Sequence, residues 1–219
     1  GGLYAANSVG QIDGCEFTGN QAKEDGDMYD GNGGGLCMIN GQWGVSNSFV
    51  AGNKLYSKWA GQARGAGIYL ENCKAELRNL LVAYNSLMSE QPPQGGGFHV
   101  SGGTVTVENV TIHGHEAQAI YNTTANTSIR NSILCNNQPA IGGTTPTLVN
   151  NIIDDGTSDG VSGNFKGDPY TLFDWPLPYL SSNSAAIGAG DRTAAAAGLA
   201  GRTSFTNGAT YSNPGTDPV

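Results

Sequence analysis

Basic residues are scarce in this chain: 10 Lys and Arg stand against 18 Asp and Glu, a formal charge of −8 over 219 residues. Binding to a nucleic acid needs clustered Lys and Arg to displace counterions, so that class of partner is excluded. No apolar run approaches the roughly 18 residues of a membrane span. No stretch carries an apolar 3.6-residue period of useful length, 34 glycines would make helix interiors costly, and the Ala194 to Ala197 run is too short to matter alone. Serine-nucleophile motifs and CxxC pairs are missing, and Gly33 to Gly35 and Gly95 to Gly97 lead into strand-like stretches with no Lys to hold a phosphate. Cysteine is rare too. Cys15, Cys37, Cys73 and Cys135 share no column of the repeat described next, which predicts free, half-buried thiols, with an approach of Cys37 to Cys73 across adjacent coils as the alternative.

What the chain does have is a spacing repeated five times. A cluster of glycines and small residues leads into an apolar residue, and an Asn or its substitute follows 17 positions later: Leu3 to Asn20, Leu36 to Asn53, Ile68 to Asn85, Phe98 to His115 and Ile120 to Asn137. Short strand-like units at such periods indicate a solenoid, in which each unit buries its apolar face only against its neighbours. Counted from the lead residue, positions 0 and +2, +9, and +12 and +14 are mostly apolar, and alternation of this kind marks three short strands with those side chains inward. Position +11 reads Gly14, Asn47, Asn79, Asn109, Asn131 and, with a two-residue deletion, Asn150, a column predicted to form an asparagine ladder. Three strands and three corners make a triangular coil of about 22 residues, rising by roughly 4.8 Å per coil. The expected fold is all-β: a single-stranded parallel β-helix of about six to seven coils over residues 1–164, followed by an irregular C-terminal segment, 165–219, packed on the helix. The chain opens at Gly1 inside a repeat, without Met. The expectation is a mature or trimmed segment of a longer protein, or a first coil that abuts a partner.

Extra residues enter at one corner only, from Lys23 to Asn32, Tyr56 to Arg64 and Met88 to Gln94, and insertions confined to one corner project from one side of a solenoid. They flank the first strand, whose outward position +1 reads Tyr4, Cys37, Tyr69, His99 and Tyr121. With Tyr29, Tyr56 and Trp59 on the flanking loops, this face could stack against sugar rings, although tyrosine stacks are also ordinary solenoid packing. A second outward column, Glu16, Phe49, Leu81, Thr111, Ile133 and Ile152, is an apolar stripe that the chain's own tail or another chain is expected to cover. A third, Asp13, Ser46, Arg78, Glu108 and Arg130, reads as an alternating ion ladder, and the same groups could serve uronate chemistry.

Asp25, Asp27 and Asp30, spaced by glycines, offer hard oxygen ligands for Ca²⁺, but the spacing departs from an EF-hand loop and no closing Glu is present; a solvated acidic loop explains it better. His113, His115 and Cys135 invite a metal reading, against which His115 sits in the +17 column as a hydrogen-bonding substitute for Asn. Glycosylation sequons at Asn109, Asn122 and Asn126 are too common by chance in an Asn- and Thr-rich chain to set the compartment.

The units running from Gly1-Gly2-Leu3-Tyr4-Ala5-Ala6 to Cys15-Glu16-Phe17-Thr18-Gly19-Asn20, with their successors, resemble repeats of secreted bacterial β-helix proteins of the polymorphic outer membrane protein and pectate-lyase-like superfamily. Asp168-Pro169, Pro178-Tyr179-Leu180 and Ser184-Ala185-Ala186-Ile187 look like the closing segment of choice-of-anchor Q proteins, with Ala185 in place of the usual Pro. The resemblance implies a right-handed helix, secretion, and display on the bacterial outer surface through an anchor further downstream. Pectate-lyase-like enzymes carry Ca²⁺-binding Asp residues and a basic catalytic residue on the first-strand face, where this chain has Tyr4, Cys37, Tyr69, His99 and Tyr121. Two functions follow as expectations. One is a non-catalytic secreted or cell-surface scaffold, binding a surface glycan or another protein of an extracellular assembly through Tyr4, Tyr56, Trp59, Tyr69, His99 and Tyr121, or through Phe49, Leu81 and Ile133. The other is a polysaccharide lyase or hydrolase acting over the first-strand face.

Overall fold

A computed structural model of the chain describes residues 1–24, 30–57, 61–174, 179–180 and 184–186. Its strands stack in parallel into a β-helix. The first sheet contains Leu3–Ala6, Leu36–Ile39, the leading parts of Ile68–Arg78 and Phe98–Glu108, then Ile120–Asn122 and Ile141–Gly143. Leu3, Leu36, Ile68, Phe98, Ile120 and Ile141 are successive register partners, as the repeat requires. The second sheet runs from Val9–Asp13 through Gln42–Ser46 and the trailing parts of the two long strands to Thr127–Arg130 and Thr147–Val149. The third holds Glu16–Thr18, Phe49–Ala51, Leu81–Ala83, Thr111–His113, Ile133–Cys135 and Ile152–Ile153.

Inward columns build one continuous core. Leu36, Ile68, Phe98 and Ile120 from the first sheet, Val45, Leu77 and Ile129 from the second, and Val50, Val82, Ile112 and Leu134 from the third are each fully buried. Because each coil rests only on its neighbours, every inward side chain touches its counterpart one coil away, and the core lengthens with the stack.

The corners explain the Asn and Gly content. At +4 the chain places Asn7, Asn40, Asn72 and Gly102, at +11 Gly14, Asn47, Asn79, Asn109, Asn131 and Asn150, and at +16 Gly19, Gly52, Tyr84, Gly114 and Asn136, all with positive φ between 48° and 83°. Left-handed backbone is costly for most L-residues, and Asn and Gly tolerate it best. The +11 file is therefore held by backbone hydrogen bonds, from the N–H of Asn47, Asn79, Asn109 and Asn131 to carbonyls of the next coil. Side chains join it only in part: Asn79 donates to Asn47 at 2.7 Å, whereas the amide of Asn109 makes no hydrogen bond.

The longer ladder lies at +17. Asn20 donates its side-chain amide to Asn53 at 3.0 Å and Asn53 donates to Asn85 at 2.9 Å; beyond them the links run from backbone to side chain, the Asn85 N–H donating to His115 Nδ1 at 3.1 Å and the His115 N–H to Asn137 Oδ1 at 3.3 Å. A shorter one links Ser132, Asn151 and Asn164 at the far end of the stack.

Coil length also differs from expectation. Thirty-three residues separate Leu3 from Leu36, 32 Leu36 from Ile68, and 30 Ile68 from Phe98, and only the later coils shorten, to 22 and 21. The extra length forms strands where the sequence suggested loops. Gln21–Glu24, Lys54–Ser57 and Ser86–Ser89 pair in a separate outer sheet, and the chain returns along Gly31–Asn32 and Ala63–Arg64, to which Gln94 is bridged. Leu55, Ala63, Ala66, Leu87 and Ala117 fill a small second core between the two layers.

Candidate functional site

The layered wall stands beside the first sheet. Its inner layer stacks Asn32, Arg64 and Gln94 in register, each four residues before the lead apolar residue of a coil. The neighbouring first-sheet column stacks Tyr4, Cys37, Tyr69, His99, Tyr121 and Gly142.

Within that column the rings use their faces on one another. Tyr69 and His99 stack with centroids 5.3 Å apart, His99 and Tyr121 at 5.4 Å, and a side chain on Gly142 would run into the Tyr121 ring. Tyr69 and His99 are each 2% exposed, so they offer a surface ligand edges rather than faces, while Tyr121 is half-buried and Tyr4 is 68% exposed. Tyr56 lies on the outer layer with its neighbour Leu55 turned into the wall core, so its own ring faces away from the column, with the Lys23 ammonium 5.7 Å from the ring centroid. Asp25, Asp27, Tyr29 and Trp59 lie outside the described residues.

Polar side chains fill the space between wall and column. Arg64 Nη1 meets Asp30 Oδ2 at 2.6 Å, the other Asp30 oxygen accepts the Gln62 N–H at 2.9 Å, and Arg64 Nη2 donates to Gln62 Oε1 at 2.8 Å. Tyr69 donates its hydroxyl to Glu71 at 2.7 Å, and Gln118 accepts the Gly95 N–H at 3.0 Å. Asp30 therefore has both oxygens engaged, one of them by a cation, which does not suit a Ca²⁺ ligand. Among the described residues, no three His, Cys, Asp or Glu side chains are grouped to hold a metal ion.

Electrostatics fix the protonation of this face. Burial, reinforced by Arg64, lowers the His99 pKa to about 4, with Gln94 and Asp30 opposing, so the ring is neutral at pH 7. Burial and the hydrogen bond to Glu71 push the Tyr69 phenol well above its usual range, and burial with Glu71 raises the Cys37 thiol to about 11. All four cysteines are free. The sequence points to Arg64, as an insertion boundary and as a charged group that could converge with Asp30 and His99, and leaves Gln62, Glu71 and Gln118 unmarked; the repeated four-residue offset of Asn32, Arg64 and Gln94 is the signal that finds the wall.

The structure separates His113 from His115. His115 belongs to the buried ladder, while His113 lies on the outer side of the third sheet, its Nδ1 3.2 Å from Cys135 Sγ and its Nε2 3.2 Å from the Tyr84 hydroxyl. Tyr84 takes a positive φ of 54° in a column of glycines and lies across Gly114, where a Cβ would stand 2.6 Å from the ring. Beside this network runs the stripe. Phe49, Leu81, Thr111 and Ile133 are half-buried, whereas Ile152 is 3% exposed in a cluster with Cys135, Phe165, Leu172, Leu180 and Ala186. On the second sheet Glu108, 3% exposed, lies between Arg78 and Arg130, with 3.7 Å to each.

A family model described as a right-handed β-helix region matches residues 34–167, more than half of the chain. No curated protein and no solved structure matches it.

Proposed function

The chain belongs to the right-handed β-helix family, and from that premise we propose that it is a non-catalytic extracellular or cell-surface scaffold that binds a surface glycan between the wall and the first sheet. The observation that carries this reading is the hydrogen-bonded set Asp30, Gln62 and Arg64 on the wall, with Glu71 bonded to Tyr69, Gln118 bonded to the Gly95 N–H, and Tyr121 half-buried on the facing column. Side chains that are pinned by one another lose little entropy when a sugar hydroxyl approaches, and a rise of about 4.8 Å per coil sets polar groups at even steps along the path of an extended polymer.

Turnover fits these groups less well. Proton transfer works best when the acid or base titrates near the working pH. His99 is held at about 4, Tyr69 is pushed the other way, and Arg64 spends its charge on Asp30. A second reading, a polysaccharide lyase or hydrolase, draws on one observation: Asp30, Arg64 and His99 meet on a single face, with both charged groups acting on the imidazole.

The test is a titration of acidic and neutral oligosaccharides by calorimetry, with a reducing-end and unsaturated-product assay on the same mixtures. Binding that weakens about tenfold or more in Arg64→Gln and in Tyr121→Ala, without new chain ends, is the expected result, since one desolvated charged hydrogen bond is worth about 1.5–3 kcal/mol. Product formation that His99→Ala abolishes would replace this reading with the enzymatic one. Absence of binding to any glycan in the panel would remove both.

A further inference from the structure

Given the glycan reading, on which this rests, we propose that the space between wall and first sheet selects a neutral glycan rich in hydroxyl or amide donors. Polyuronates are rejected there, and Glu71 is the residue that sets the preference.

Charge supplies one half of the argument. Arg64 has both terminal nitrogens engaged, Nη1 with Asp30 at 2.6 Å and Nη2 with Gln62 at 2.8 Å. Glu71 is half-buried, and its Oε2 accepts the Tyr69 hydroxyl at 2.7 Å, a neutral donor that leaves the negative charge in place. That charge reaches across the column. Burial and, after it, Glu71 raise both the Cys37 thiol and the Tyr69 phenol above their usual ranges. Lys23 and Lys54 alternate along their strands with Ala22 and Leu55, which turn into the wall core, so both ammonium groups point away. On this face two carboxylates, Asp30 and Glu71, thus stand against one guanidinium. A uronate brought between them meets net repulsion.

Hydrogen bonding supplies the other half, independently of net charge. His99 is 2% exposed and its Nδ1 is buried without a partner, as is Oδ1 of Asn32 in the inner layer of the wall. The His99 ring is neutral, and its bond to the Gln94 backbone carbonyl uses the other ring nitrogen as donor, which leaves Nδ1 an acceptor. The Asn32 oxygen is an acceptor by its chemistry. Both unpaired atoms therefore call for a donor. A sugar hydroxyl or an acetamido N–H supplies one, whereas each uronate replaces a hydroxyl donor with a charged group that only accepts.

Calorimetry on the full-length chain tests this, with neutral hexamers of glucose, mannose, galactose and N-acetylglucosamine and with hexagalacturonate as the acidic probe. A neutral hexamer is expected to bind at least about tenfold more tightly than hexagalacturonate at low salt. Raising NaCl from about 20 mM to about 500 mM should strengthen only the acidic probe, because screening removes repulsion. Glu71→Gln should raise the affinity for hexagalacturonate, relative to the neutral hexamer, about tenfold. Glu16→Gln removes an exposed charge on the third sheet and should leave that ratio as it was. If Glu71→Gln does not fold, the salt dependence of the parent chain decides. Hexagalacturonate that binds as tightly as every neutral hexamer, or that weakens with salt, overturns the preference and leaves the glycan reading standing. A ratio that Glu71→Gln and Glu16→Gln change alike overturns the role of Glu71. Absence of binding by every hexamer removes the glycan reading and this preference together.

Discussion

Asn53 has its whole side chain engaged. Its Oδ1 accepts the N–H and the amide of Asn20, both at 3.0 Å, and its Nδ2 donates to the Phe17 carbonyl at 2.8 Å and to Asn85 at 2.9 Å. Asn109 occupies a left-handed corner with φ 55° and gives its amide to nothing. The two residues are the same amino acid doing different work, so truncation should separate them. Asn53→Ala strands several buried donors and acceptors and is expected to cost about 3–5 kcal/mol, more than a single buried bond at about 1–3 kcal/mol. Asn109→Ala bears only the left-handed penalty of about 1–2 kcal/mol, and Asn109→Gly, which escapes that penalty, should be nearly neutral. Urea denaturation of the three variants measures this. Equal losses at both positions would mean that the +11 column is a side-chain ladder after all.

At the scale of elements, the wall is the addition to a plain three-sided coil, and its own core is small: Leu55, Leu87 and three alanines. Leu55→Ala removes the more deeply buried of the two leucines and is expected to cost about 2–5 kcal/mol. Because stability in a solenoid is shared between nearest neighbours, the loss should stay local. Hydrogen exchange should accelerate in Gln21–Glu24, Lys54–Ser57 and Ser86–Ser89 while first-sheet strands such as Leu36–Ile39 keep their protection. Uniform acceleration would show instead that wall and helix unfold as one unit. The three-sheet helix was legible from residue spacing, since inward columns repeat apolar residues at fixed offsets. The wall was not. Gln21–Glu24 is mostly polar, only Leu87 of Ser86–Ser89 is buried, Ala22 is partly so, and return strands of two residues are too short to show strand alternation. The aromatic column was read correctly as a column, but linear order does not show that Tyr69, His99 and Tyr121 spend their faces on each other. The Asp30, Gln62 and Arg64 cluster needs the return of the chain across the corner, which spacing inside one insertion cannot supply.

For the molecule as a whole, protonation should set the window of stability, because its buried histidines and the thiols of Cys37 and Cys135 are held in their neutral forms. His99, His113 and His115 are 2%, 0% and 2% exposed, and burial lowers each pKa from 6.5 to about 4. A folded pKa below the unfolded one means that the unfolded chain binds more protons between those two values. Stability is then fully present above about pH 6.5 and lost as the pH falls toward 4. A tenfold change in proton affinity between the folded and unfolded chain is worth about 1.4 kcal/mol, so each ring contributes about 3 kcal/mol at most, and three together give a slope of about 4 kcal/mol for each step of one in pH at its steepest. On the alkaline side the sign reverses. Burial raises Cys37 from 9.0 to about 11 and Cys135 further, so the unfolded thiols ionise first and stability declines above pH 9. All three histidines belong to the one coil that starts at Phe98, and acid therefore attacks the stack at its middle rather than at its ends. Urea midpoints at pH 7.0, 5.5 and 4.5 should fall in that order, and exchange at pH 4.5 should rise first in Phe98–Glu108 and Thr111–His113. His115→Asn restores the ladder residue found in the neighbouring coils and removes one of the three protons, so it should flatten the acid limb by about a third. An acid limb that His115→Asn leaves unchanged would place the sensitivity in the carboxylates and not in this coil.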